Sequence, residues 1–152
     1  MKKRKFCIVH AVKARWQGRI IAMNRLSNTK ILVVDDDVFT RYQLQDEFAS
    51  YDASVRTAAN LDEALDLLNT SQFDVILFDA RARIDPKRYL TPQVQLNPNK
   101  KPLLIIYSKL SDISLKNLSN PDVFRVFMKP CNTAGIVDSI AMSLNKEMRR
   151  AS

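Results

Sequence analysis

The chain has 152 residues, 46% of them hydrophobic, enough apolar material for the core of one ordinary domain. No stretch reaches the roughly 18 consecutive apolar residues of a membrane span, which excludes a transmembrane protein. The formal charge of +8 comes from residues 1–30, where nine cations stand without a single acid; the other 122 residues carry fifteen cations against sixteen acids, so the folded part is near neutral.

From Lys30 onward short apolar runs alternate with amphipathic stretches, the signature of βα units around a parallel sheet. Five such pairs are expected within one domain, residues 30–150. The first strand is Ile31 to Val34, followed by a helix from Val38 to Ala49 in which Phe39, Tyr42, Leu44 and Phe48 supply apolar contacts. Ala53 to Thr57 is a weaker second strand. Asn60 caps LDEALDLL, whose Leu61, Ala64, Leu65 and Leu68 share one helical face and whose Asp62 and Glu63 suit the positive end of the dipole. FDVILFDA at 73–80 reads as a third strand buried on both faces. The basic, proline-punctuated segment RARIDPKRYLTPQVQLNPNKK follows, in which either Asp85-Pro86 or Thr91-Pro92 suits the cap and first position of a short helix. Pro102 introduces LLIIYS as the fourth strand, and Ser111 and Asp112 open a modest helix reaching about Leu118. FRVFM at 124–128 is the fifth strand. Lys129-Pro130 closes it, and Asn132 or Thr133 caps a last helix to about Arg149 with Ile136, Val137, Ile140 and Leu144 on its inner stripe.

The run KILVVDDD at 30–37 drives a buried strand into three adjacent carboxylates, which repel one another unless a cation sits among them. In an open parallel α/β sheet ligands bind outside the carboxyl ends of the strands, where strand order reverses. Asp35 and Asp36 follow the first strand, Asp79 ends the third, Ser108 the fourth and Lys129 the fifth. With strand order 2-1-3-4-5 the first and third strands are neighbours and their acids converge. A hard divalent cation such as Mg²⁺, taking carboxylate oxygens and keeping waters, relieves the repulsion and leaves room for a phosphoryl oxygen.

Residues 30–130 resemble the receiver domain of two-component response regulators, in which an acidic pair, a phosphoacceptor aspartate, a hydroxyl residue and a lysine-proline occur in this order. Here Asp36, Asp79, Ser108 and Lys129 are separated by 43, 29 and 21 residues, close to the family's spacing. The resemblance implies a flavodoxin-like, doubly wound five-stranded parallel sheet with five helices. It implies that Asp79 takes a phosphoryl group from a histidine kinase, a phosphotransfer protein or a small phosphodonor. Asp36 and Asp79 would bind Mg²⁺ directly, Asp35 through water, and the backbone carbonyl of Arg81 would be a further ligand. Lys129 would pair with Asp79 at rest and with a phosphoryl oxygen afterwards, while the Ser108 hydroxyl would bond another phosphoryl oxygen. A stand-alone cytoplasmic regulator of the chemotaxis type is expected. It would be a phosphoacceptor with autophosphatase activity rather than a classical enzyme, signalling to a downstream protein through its fourth and fifth helices and fifth strand. The alternative is a pseudo-receiver, the same fold used as a phosphorylation-independent interaction module.

Three positions depart from the family pattern. Ala80-Arg81-Ala82-Arg83 stands where Met-Pro and then a glycine are usual, Lys109 replaces a small residue after the hydroxyl, and Val126 sits where a Tyr or Phe is common. Arg81, Arg83, Lys87 and Arg88 read as a solvated basic face. Cys7 and Cys131 read as incidental reduced thiols, and His10 as an incidental tail histidine rather than part of a phosphotransfer module. Residues 1–29 are a basic N-terminal extension. Val12, Trp16 and Ile20 recur every four residues among cations, as in a helix for anionic lipid or nucleic acid; FCIVHAV is a marginal signal-peptide core; and Met23 is an alternative start. The favoured reading is a disordered or untranslated tail, with neither nucleic acid nor membrane as partner.

Overall fold

The structure is a computed structural model and describes residues 25–82 and 85–151. Five strands and, among the described residues, five α-helices alternate: β1 (Lys30–Val34), α1 (Val38–Ala49), β2 (Ser54–Ala58), α2 (Leu61–Thr70), β3 (Val75–Phe78), α3 (Lys87–Leu96), β4 (Leu103–Ser108), α4 (Leu115–Ser119), β5 (Val123–Met128) and α5 (Thr133–Ala151). The strands form one parallel sheet in the order β2-β1-β3-β4-β5. This is the doubly wound, flavodoxin-like arrangement that the family resemblance implied. Among the described residues no helix is long and apolar enough to cross a membrane.

Successive side chains of a strand point to opposite faces, so each central strand feeds two cores. Ile31, Val33, Val75, Leu77 and Ile105 pack under α1 and α5, where Leu44, Phe48, Ile136, Val137 and Ile140 meet them. Leu32, Val34, Ile76, Phe78 and Ile106 face α2 and α3, where Ala64, Leu68, Tyr89 and Leu90 close the other side. Because both faces are covered, β3 reads as an unbroken apolar run rather than an alternation. Each such fully buried branched or aromatic side chain contributes about 1.5–3 kcal/mol relative to exposure. Packing also reaches upstream of the expected boundary at residue 30: Leu26 is buried in the first core, and Arg25 forms an ion pair with Asp138 of α5. His10, Cys7 and the amphipathic pattern of residues 12–20 lie outside the described residues.

Several local expectations are corrected. Phe39 and Tyr42 are 79% and 65% exposed, and Leu44 and Phe48 are the buried residues of α1. Between the two candidate starts for α3, the chain uses Asp85-Pro86. The Asp85 carboxylate accepts from the Lys87 N–H at 3.0 Å, and Pro92 lies inside the helix. Ser111 and Asp112 fall in a 3₁₀ turn, Leu110–Asp112, instead of opening α4. That helix starts later because only Ser114 has Asn117 three residues on to close a reciprocal capping box. Asn132 rather than Thr133 precedes α5 as the capping group, its carboxamide oxygen accepting from the Ala134 N–H at 2.9 Å. The third strand is shorter than expected, Val75–Phe78, which leaves Asp79 just beyond its tip.

Candidate functional site

The acids reach their positions because the sheet ladder continues one residue past each strand. The Asp35 N–H donates to the Ala58 carbonyl (3.1 Å), the Asp79 N–H to the Val34 carbonyl (3.1 Å) and the Lys129 N–H to the Ser108 carbonyl (2.8 Å). The functional side chains are therefore held in register with the rigid core. Beyond β1 the three acids divide their work. Asp37 is the N-cap of α1, its Oδ2 accepting from the Thr40 N–H (2.8 Å) and the Thr40 hydroxyl (2.6 Å), which lowers its pKa. Asp35 is buried, its Oδ1 accepting from the Asp37 N–H (2.8 Å), whereas Asp36 extends toward solvent. Arg41 of α1 donates to the carbonyls of Asp35 (2.6 Å) and Asp36 (3.2 Å) and so fixes the loop that carries them.

Asp79, 5% exposed, is the hub. Its Oδ1 accepts from the Ser108 hydroxyl (2.7 Å) and the Arg81 N–H (2.8 Å). Its Oδ2 accepts from the Lys129 ammonium at 2.7 Å and, more weakly, from Arg81 Nη2 at 3.3 Å. Lys129 also donates to Asp35 Oδ2 at 2.5 Å, and its ammonium lies 5.1 Å from the centre of the Tyr107 ring. Burial pushes the Asp79 pKa up, but the bonds from Lys129, the Arg81 N–H, Ser108 and the Arg81 guanidinium outweigh it and hold the carboxyl down at about 2. Burial likewise opposes charge on Lys129, yet Asp35 and Asp79 raise its pKa above the ordinary lysine value. At neutral pH Asp79 is thus a carboxylate and Lys129 an ammonium ion, paired at 2.7 Å.

The structure brings Asp35, Asp36, Asp79, Arg81, Ser108 and Lys129 into one cluster. Arg81 departs from the reading of its loop as a solvated face. Its Nη2 lies 2.7 Å from Asp36 Oδ1, 3.3 Å from Asp79 Oδ2 and 3.6 Å from Asp35 Oδ1. The hydrogen bond to Asp79 raises its pKa most; burial opposes its charge, and the charges of Asp79, Asp36 and Asp35 raise it further. Lys109 is exposed, and among the described residues it forms no ion pair; Val126 is half-buried against the α2–α3 side of the core. Sequence reasoning gave Arg81 only a carbonyl role and did not single out Arg41. The signal for Arg81 was its place two residues after Asp79, where a tight turn returns the side chain to the acid.

The donor set suits Mg²⁺ in kind: hard carboxylate oxygens from two adjacent strand tips, with a half-exposed side able to keep waters. Among the described residues, however, no three His, Cys, Asp or Glu side chains are arranged for direct ligation of a metal. The guanidinium of Arg81 stands between the carboxylates instead.

Among curated proteins none matches the chain. Among solved structures it is similar to a CheY-like response regulator receiver domain protein from Methanospirillum hungatei, with 23% identity, a TM-score of 0.66, and 80% of this chain and 98% of that one covered. A receiver domain protein from Clostridium thermocellum gives 21% identity and a TM-score of 0.64, covering 79% and 97%. A response regulator from Burkholderia pseudomallei, solved with a phosphorylated aspartic acid, calcium ion and citrate, gives 20% and 0.58, covering 79% and 72%. These likenesses speak to the fold. The sequence model described as the response regulator receiver domain matches residues 31–141. Since that match runs from β1 into α5 and takes in every strand tip that builds the site, the chain belongs to the response regulator receiver domain family.

Proposed function

We propose that this receiver domain accepts a phosphoryl group on Asp79 from a histidine kinase or phosphotransfer protein and passes the signal to a downstream protein. The observation that carries the reading is the pair of contacts on Asp79, the Ser108 hydroxyl and the Lys129 ammonium each at 2.7 Å. Oδ1 is held by a main-chain N–H and a buried hydroxyl, which orients the carboxylate. Oδ2 is held, among the described residues, only by two cationic side chains, which can move, so it is the atom freed to attack. In the transfer a new P–Oδ2 bond forms as the bond from phosphorus to the donor's imidazole nitrogen or acyl oxygen breaks, the leaving group keeping that electron pair. Lys129, displaced from Oδ2, neutralises one phosphoryl oxygen and Ser108 donates to another. Asp36, Asp79, the Arg81 carbonyl and, through water, Asp35 would hold Mg²⁺, which would supply neutralisation of charge on the transferring oxygens.

Incubation with acetyl phosphate and MgCl₂, followed by intact-mass measurement, tests this. One phosphoryl group per chain is expected, absent in Asp79→Asn and after chelation. A second reading, the phosphorylation-independent module, is favoured by the guanidinium standing between the acids. It predicts an unlabelled protein at any Mg²⁺ concentration. Labelling that persists in Asp79→Asn would overturn the assignment of the acceptor.

A further inference from the structure

We infer that Arg81 is a tethered cation that stands in for the divalent metal, so that metal binding and departure of its guanidinium form one exchange; this rests on the metal-dependent reading above. Three acids converge at the tips of β1 and β3, and two of them are almost fully buried. Without a counter-charge such a cluster is strongly unfavourable. Lys129 satisfies one side only, bonding Asp35 Oδ2 and Asp79 Oδ2. Arg81 satisfies the other side and, among the described residues, it alone touches all three carboxylates. One nitrogen within 2.7–3.6 Å of three carboxylate oxygens occupies the place a shared cation would take. A divalent ion added with the guanidinium in place would face a like charge at contact distance, so one must leave for the other to enter.

The tether makes the exchange effective. Arg81 lies two residues beyond Asp79 in the 3₁₀ turn Ala80–Ala82, and its own N–H is bonded to Asp79 Oδ1. The backbone is thus pinned beside the site, and the side chain returns from a short, fixed distance at high effective concentration. The guanidinium is also placed to leave: the Arg81 side chain is 41% exposed and can move into water, while an incoming metal ion takes over as counter-charge to the buried Asp35 and Asp79. Arg81 lines two clefts at once. One, about 290 Å³, is walled by Asp35, Asp36, Asn60 and Asp79. The other has Asp85, Asp112 and Asp122 on its wall together with Lys87 and Lys116, and offers the displaced side chain an open, polar space with carboxylates within it.

The consequence is a metal affinity set partly by the chain itself. If the open, metal-accepting arrangement is a minor population, the apparent dissociation constant rises in inverse proportion to it. Thermal unfolding of the whole chain, in EDTA and across a MgCl₂ titration, tests this on the wild type, Arg81→Ala and Arg81→Gln. Both variants are expected to melt lower than wild type in EDTA, to gain more on adding MgCl₂, and to half-saturate at roughly threefold or more lower Mg²⁺. A control that removes an exposed arginine outside the cluster, Arg88→Ala, is expected to titrate like wild type. Equal Mg²⁺ midpoints in wild type and both variants would overturn the exchange while leaving the phosphoacceptor reading standing. No Mg²⁺ response in any of them would overturn it together with the metal-dependent reading. A variant that melts lower by the same amount with and without Mg²⁺ would show a structural arginine only and likewise overturn the exchange.

Discussion

The centre of the sheet and its β5 edge are built on opposite principles. At the centre, every residue of β3 and Ile31–Val34 of β1 are buried, strands lie on both sides, and the ladder bonds run on into Asp35 and Asp79. At the edge, β5 contributes no buried residue, and the five residues of α4 contribute none either. Leu115 there is 83% exposed, with Leu118, Phe124 and Met128 also open to solvent. Rigid packing keeps the carboxylates within hydrogen-bond distance of their partners, whereas sparse packing leaves the edge at the low end of local stability, where motion is least opposed. Lys129 joins the two regions: its backbone ends β5, and its ammonium reaches the buried acids of β1 and β3. Oδ2 of Asp79 is thereby tied to the edge strand through the single side chain of Lys129.

Cutting that link has the largest expected effect. Lys129→Met leaves Asp35 and Asp79 buried with one counter-charge fewer, and loss of one partner from such a set costs about 3–5 kcal/mol. Urea unfolding in metal-free buffer at neutral pH checks it. The same substitution at Lys116, an exposed cation of α4, is expected to change stability by no more than about 0.5 kcal/mol. A Lys129→Met loss as small as that of Lys116→Met would break the contrast between the two regions.

The next effect is a pH dependence confined to the centre. Asp79 has a folded pKa of about 2 against an ordinary 3.8, so the folded state binds its proton less readily than the unfolded chain. Its stabilisation is complete above the unfolded value and is lost as pH falls through the folded one. Between about pH 4 and pH 2 wild type is expected to lose roughly 2 kcal/mol more than Asp79→Asn in denaturant titrations. Parallel acid limbs would mean that the contacts from Lys129, Ser108 and Arg81 do not hold the carboxylate ionised.

What the sequence disclosed follows the same division. The centre was legible because its strands are unbroken apolar runs that stop abruptly at acids, a hydroxyl and a lysine, and a pattern of period and punctuation needs no partner to be read. Side chains whose meaning depends on distant partners were not. Gln93 is fully buried; its amide donates to the carbonyls of Leu68 and Ser71 (2.8 Å each) and its Oε1 accepts from the Phe73 N–H (2.7 Å), bonding the end of α2 to α3. Nothing within its own helix announces that. Arg81 meets Asp36, a residue 45 positions away, and a charge run in a proline-rich loop reads as solvated until that return is seen. At the edge, Ser111, Asp112 and Ser114 are all competent caps, and the Asn117 box decides among them. For α1 the apolar spacing fitted a wider buried stripe than the helix uses, because Phe39 and Tyr42 lie outside the arc that faces the sheet.

The smallest expected effect lies at α4. Leu115→Ser and Leu118→Ser remove large apolar side chains, yet both are exposed already, so little area is returned to water on unfolding. The helix has one turn and a half and is held chiefly by its Ser114–Asn117 box, which short helices need because they cannot pass nucleation on propensity alone. Each substitution should therefore shift the denaturant midpoint by an amount equivalent to no more than about 0.5 kcal/mol. Ser114→Ala should instead accelerate amide exchange within residues 114–119 while leaving global stability within about 1 kcal/mol. A global loss of several kcal/mol from any of these changes would mean that α4 is coupled to the core as tightly as α1 or α5, and that the edge is not the soft side of the sheet.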